Sequence, residues 1–158
     1  MSNTSPAAPP ARTAYYGRTA AAQPAAHVND HLTSQYLACV EALPDDAQIV
    51  AVYYDTGPAA GPDPHPPDHL SIATTVLRRD GGLAQLLTDA AQHRFDYLVA
   101  TAPDRLSRNW QQAVHLLRQL TTLNVTPLFV PTLDADLHSG DRHRSDLDLL
   151  LVLGAIPQ

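Results

Sequence analysis

Two short segments hold residues that could do chemistry together. Tyr16-Gly17-Arg18-Thr19-Ala20 closes one apolar run, and Pro103-Asp104-Arg105-Leu106-Ser107-Arg108-Asn109 follows another. All ten basic residues of the chain are arginine, with no lysine, set against fifteen aspartates and one glutamate, Glu41. A guanidinium is a planar fork that matches the oxygens of phosphate or carboxylate. Side chains alternate along a strand, so Arg18 and residue 20 share a side that Thr19 does not. If Asp104 caps a helix, Arg105 and Arg108 lie one turn apart on one face, beside backbone N–H groups that favour an anion. The combination would make a phosphate cradle. Taken singly, each residue has a plainer reading: Asp104 as a cap alone, Arg105 and Arg108 as solvated surface, Arg18 as half of an ion pair. Arginine without lysine is foremost the mark of a GC-rich coding sequence, as is the abundance of alanine and proline.

The elements that must position these residues alternate along the chain. Residues 13–17 read as a short strand. Residues 30–43 read as a helix with Leu32, Tyr36, Val40 and Leu43 on one face, ended by Pro44. Residues 48–54 and 95–101 are β-rich runs, and 125–130 is a fourth strand. Leu83, Leu86, Leu87, Ala90 and Ala91 mark a helix after Gly81-Gly82, and Trp110, Ala113, Val114, Leu117 and Leu120 mark another. This order predicts an α/β three-layer sandwich with a mainly parallel central sheet. Ligands of such folds gather at the C-terminal ends of the strands, where both arginine segments fall.

Composition narrows the class. The 158 residues carry a net charge of −6, and 44% are hydrophobic, enough for one ordinary core. The longest apolar run, 147–156, is broken by Asp148 and is too short for a membrane span. The N-terminus has no secretory layout, and the single cysteine, Cys39, excludes an intrachain disulfide or a cysteine-rich zinc module. A cytoplasmic protein with no cofactor, no metal and no membrane association is expected. His65, His69, His138 and His143 fall in loops with irregular spacing and read as solvated. Residues 1–12 read as a disordered leader, and the proline-rich stretch 57–67 and residues 131–144 as loops.

Taken in order, Tyr16-x-Arg18, Gln35, Arg79 before Gly82-Leu83-x-x-Leu86-Leu87, and Asp104-Arg105-Leu106-x-Arg108 resemble the catalytic domain of the serine recombinases, the resolvase/invertase family. The stretch Phe95-Asp96-Tyr97-Leu98-Val99 leading into Asp104-Arg105-Leu106-Ser107-Arg108-Asn109 is the most diagnostic part. Arg79-Asp80-Gly81-Gly82-Leu83 is similar to the form found in large recombinases of GC-rich bacteria. The resemblance covers residues 13–133, leaving 134–158 as a loop and a truncated C-terminal helix that would serve as a dimer contact. It implies DNA recombination, DNA binding and DNA integration of a mobile element, without metal: a serine hydroxyl attacks a phosphodiester, and arginines stabilise the charge. Active units of the family dimerise and pair as tetramers. By position, Arg18, Arg79, Arg105 and Arg108 would bind phosphate, and Asp104 would orient an arginine or assist proton transfer. Tyr16 and Gln35 would support the site. Arg78 is an alternative to Arg79, because the spacing to Gly82-Leu83 is one residue longer than in many relatives.

The sequence departs from the family where the chemistry is made. The strand motif Tyr-x-Arg-x-Ser stands here as Tyr16-x-Arg18-x-Ala20, and alanine cannot form the covalent intermediate. Thr19 would need a bulge to turn toward the site. Ser34 lies further away on the first helix, and Cys39 reads as a buried thiol. The glutamine-rich stretch of the family is reduced to Gln23, followed by Pro24. The chain is expected to lack the DNA-binding half of its relatives, and its run 149–153 would pack on the core or on a partner. Residues 1–69 carry two arginines against seven acids and residues 78–118 six against four, so the cationic surface is confined to the site. The leading expectation is therefore a recombinase-like pseudoenzyme: an accessory or regulatory subunit, homodimeric or paired with an active recombinase, or a relic. The alternatives are an active recombinase with a non-standard nucleophile, and a small α/β phosphate- or nucleotide-binding module; no Gly-rich phosphate motif supports the last.

Overall fold

The computed structural model describes residues 11–19, 25–56 and 66–130. Residues 20–24, with Ala20 and Gln23, residues 57–65, with His65, and residues 131–158, with His138, His143 and the expected C-terminal helix, lie outside the described residues, as do residues 1–10 of the expected leader. The central sheet has four strands: β1 (Ala11–Thr19), β2 (Ala47–Thr56), β5 (Tyr97–Ala100) and β6 (Thr126–Phe129). Their order is β2-β1-β5-β6, and every pairing is parallel. Helix α1 (Ala25–Ala42) covers one face; α2 (Leu83–Ala91) and α3 (Trp110–Thr122) cover the other. This is the three-layer α/β architecture expected. Strand β1 starts at Ala11, two residues inside the expected leader, and Arg12 is tied to Asp96 by a two-pronged ion pair at 3.0 and 3.1 Å.

Each face of the sheet carries its own core, as strand alternation requires. Ala14 and Tyr16 of β1 pack with Tyr53, Leu86, Leu98, Leu117 and Leu120 beneath α2 and α3. Tyr15 packs with Leu32, Cys39, Val52, Tyr54 and Val99 beneath α1. The β1–β2 register shifts between Thr13 and Ala14, which pair with Ile49 and Ala51 and leave Val50 as the extra residue. The bulge explains why Ile49 packs on the α1 side and Ala51 on the other, although they stand two apart. It belongs to β2 and lies far from Thr19, so β1 keeps its alternation to the end.

A hairpin absent from the sequence reading, β3 (His69–Ile72) and β4 (Thr75–Arg78), joins β2 to α2. Its two-residue turn places Ala73 at φ 48°, without the glycine or asparagine that signals such turns. Asn29 of α1 pins the hairpin by accepting from the Ser71 amide at 2.9 Å and donating to its carbonyl at 3.2 Å. His69 therefore lies in a strand, opposite Arg78, and not in a loop. Beyond β4 the chain runs along the outer edge of β2. The Tyr54 amide donates to Gly81 O, the Asp80 amide to Val52 O, and the Val52 amide to the Asp80 carboxylate. An edge strand is thereby covered, and residues 79–82 are set against its C-terminal end.

Three expectations about helices need correction. Asp104 does not cap α3: residues Pro103–Arg105 form a separate 3₁₀ turn, and Asn109 caps α3 by accepting from the Gln111 and Gln112 amides at 2.9 and 3.2 Å. Arg105 and Arg108 are thus not on one helical face. Trp110 opens α3 but is 43% exposed, so the buried stripe begins at Ala113. On α1, Cys39 fills the core position and Val40 is turned outward. Burial pushes the Cys39 thiol up to about 12, which keeps it protonated and inert.

Candidate active site

The C-terminal ends of β1 and β2 place Arg18 and Asp55 side by side in register, two residues beyond the Tyr16–Tyr53 pair. Asp55 is the hub of the site. One carboxylate oxygen accepts from the Tyr16 hydroxyl and from the Leu83 amide, both at 2.9 Å; the other accepts from Arg79 Nη2 at 3.2 Å. The Leu83 bond caps α2 from the adjoining edge strand, since Gly82 at the cap position has no side chain to do so. Gly82 is also required sterically. A Cβ there would lie 2.2 Å from Asp55 Oδ1 and 3.0 Å from Arg79 Nη2.

Arg79 is the arginine delivered to the site. Its Nε donates to the Tyr54 carbonyl at 2.9 Å, and its guanidinium lies 5.4 Å from the centre of the Tyr54 ring. Arg78, the alternative, is an exposed residue of β4. Burial raises the Tyr16 hydroxyl far above its ordinary value, and the Asp55 charge and hydrogen bond raise it further; Arg18 and Arg79 act on it in the opposite direction. Two of the four expected arginines thus bear on one phenol, within a group held by an acid.

Arg105 joins from the other side. Its Nη1 donates to the Arg18 carbonyl at 3.2 Å. Gln35 of α1 grips the same peptide unit: Arg18 N donates to Gln35 Oε1 at 3.2 Å, and Gln35 Nε2 donates to Arg18 O at 3.0 Å. Gln35 is buried, and both its oxygen and its nitrogen are engaged, which accounts for its place in the pattern. The end of β1 is further fixed by Tyr15, whose hydroxyl donates to Leu32 O at 3.0 Å. Any side chain on Gly17 would collide with that hydroxyl. Asp104 and Arg108 are exposed, and Asp104 pairs with neither arginine among the described residues.

The structure therefore brings together Tyr16, Arg18, Gln35, Arg79 and Arg105 at one end of the sheet, and leaves Asp104 and Arg108 at its exposed margin. Ala20 itself lies outside the described residues. Thr19 is 6% exposed and lies on the α1 face, away from Tyr16 and Asp55. Sequence reading missed Asp55. Its signal was an acid ending the strand run Tyr53-Tyr54-Asp55, at the edge where parallel sheets bind ligands. Among the described residues no cluster of histidine, cysteine and acids could hold a metal, and no helix is long and apolar enough to cross a membrane.

The family model "Resolvase, N terminal domain" matches residues 68–152, more than half of the chain. The matched stretch includes Arg79, Asp104, Arg105 and Arg108 and begins after β1 and β2. Among solved structures, the C-terminal catalytic domain of ISC1926 TnpA, an IS607-like serine recombinase, is similar at 18% identity over 90% of this chain and 80% of that one, with a TM-score of 0.54. At that identity the likeness concerns the fold. The N-terminal catalytic domain of TP901-1 integrase aligns at 20% identity over 91% and 92% of the two chains, with a TM-score of 0.47. No curated protein matches the sequence.

Proposed function

The chain belongs to the resolvase N-terminal domain family, and on that premise we propose that it is a recombinase-type DNA phosphate site without a nucleophile. The observation that carries this reading is the contrast between the assembled site and the sequence that follows it. Tyr16 and Arg18 stand with Asp55, Arg79 and Arg105 in an assembled cationic site, and two residues further on, at the position of the attacking serine, the sequence has Ala20. Arg18, Arg79, Arg105 and the exposed Arg108 bind the phosphate and neutralise charge, as guanidinium groups can without a metal. Asp55 and Tyr16 hold Arg79 in place. Asp104 assists from the margin.

Such a domain acts as an accessory or regulatory subunit that pairs with a second copy or with an active recombinase. It occupies DNA, in the cytoplasm, without cutting it. A second reading, an active enzyme using Thr19, has one feature in its favour: among the described residues the Thr19 hydroxyl finds no hydrogen-bond partner. Against it stand the burial of Thr19 and its direction on β1.

The test compares the wild-type chain with Ala20→Ser, each fused to a sequence-specific DNA-binding domain and incubated with supercoiled DNA bearing that domain's site. Wild type is expected to retain DNA intact, and Ala20→Ser to yield nicked or protein-linked forms. Cleavage by wild type would refute the reading.

A further inference from the structure

Three buried side-chain polar atoms among the described residues have no hydrogen-bond partner within the protein: Thr19 Oγ1, Thr101 Oγ1 and Arg105 Nε. All three belong to one corner. Thr19 ends β1, Thr101 directly follows the neighbouring strand β5, and Arg105 ends the 3₁₀ turn into which β5 leads. Alternation from Tyr15 and Val99, which pair in register, puts both threonines on the α1 face. Arg105 reaches the same corner: it donates to Arg18 O, and its charge acts on the Tyr15 hydroxyl.

An unpaired buried polar group is costly and uncommon, so three at one end of one strand pair call for a shared partner. None of the three bonds another directly, so a further atom must join them. That atom has to accept from Nε–H, which only donates, while the hydroxyls can donate or accept. All three atoms are closed off from solvent, and Thr101 is 3% exposed, so a DNA phosphate does not reach them. A water has the right chemistry: buried waters make about three hydrogen bonds each, to polar groups otherwise unsatisfied.

We propose that Thr19 and Thr101 are positioning residues for Arg105, holding its guanidinium through one internal water that accepts from Nε and joins the two hydroxyls. The inference rests on reading Arg105 as a phosphate ligand. With Nε and Nη1 both anchored, the guanidinium is fixed before DNA arrives, and its remaining N–H groups are free to meet a phosphate oxygen. The Thr19 hydroxyl is then committed to the interior, which is why it does not replace the missing serine.

The test uses the full, isotope-labelled chain without DNA. The Arg105 Nε–H resonance is assigned by its loss in Arg105→Lys. In wild type it is expected to exchange slowly and to show cross-relaxation with water. Thr101→Val, a near-isostere, is expected to abolish the water signal, speed Nε–H exchange several-fold and lower the thermal midpoint, and Thr101→Ser to restore all three. Absence of the water signal in wild type, or a Thr101→Val midpoint equal to or above wild type, would overturn the proposal, because replacing an idle buried hydroxyl by a methyl relieves an unpaired group. Should Thr101→Val not fold, Thr19→Val gives the same readouts, and the wild-type signal decides alone if neither folds. DNA cleavage by Ala20→Ser without a water-coupled Nε–H would sink the water and spare the functional reading. The converse would sink what Arg105 is positioned for and spare the water.

Discussion

At the scale of single residues, Asp55 connects more of the site than any arginine does. It holds Tyr16, Arg79 and the first amide of α2 at once. The Arg79 pair is partly solvated, with side chains 23% and 34% exposed, so the ion pair by itself contributes little. The hydrogen bonds to a charged acceptor contribute more. Asp55→Ala is therefore expected to lower stability by about 1–3 kcal/mol, measured by urea unfolding, and to weaken DNA retention because Arg79 loses its anchor. Unchanged stability would mean that water replaces the carboxylate without loss. Asp55 escaped the sequence reading because a lone acid in a strand has no spacing partner. Its role arises from two elements, β1 and the 79–82 segment, that are remote in the chain. Arg18 and Arg105 stood out because each closes or follows a strand run, whereas Arg79 stood out only through the resemblance to a family pattern.

At the scale of elements, the hairpin β3–β4 carries Arg79 to the edge of the sheet, and its turn is strained. Ala73 adopts a left-handed backbone that disfavours any residue with a Cβ. Ala73→Gly is expected to leave the site intact and to raise stability by up to about 1 kcal/mol, read as a higher urea midpoint with an unchanged slope. A lower midpoint would show that the added freedom of the unfolded chain outweighs the strain. The same turn explains why the hairpin was invisible in the sequence: neither Ala73 nor Thr74 is a turn signal. The central strands were legible as β-rich runs, and α2 and α3 because helical periodicity survives in them. Where a single residue interrupts a period, as Val50 does in β2, only the folded register reveals which side each neighbour takes. The break between Arg105 and α3 was hidden similarly, since Asp104 and Asn109 are both good caps and only the fold selects Asn109.

At the scale of the molecule, four fully buried tyrosines, Tyr15, Tyr16, Tyr53 and Tyr54, line both faces of the sheet at its working end. Burial raises all four hydroxyls above their ordinary value, Tyr54 to about 12. Their folded values exceed the unfolded value of about 10, so stability is whole below that pH and falls as pH rises past it toward the folded values. Thermal midpoints should be level through neutral pH and drop above about pH 10, with tyrosinate absorbance from these residues appearing only as the fold is lost. Tyrosinate appearing in a chain that keeps its circular dichroism would contradict this. The central claim, a phosphate site complete but for its nucleophile, is tested most directly by mass spectrometry of covalent DNA adducts from wild type and Ala20→Ser. No adduct from wild type, with a phosphoryl link mapped to the introduced serine at position 20 in the variant, is the predicted result; an adduct on Thr19 of the wild-type chain would contradict it.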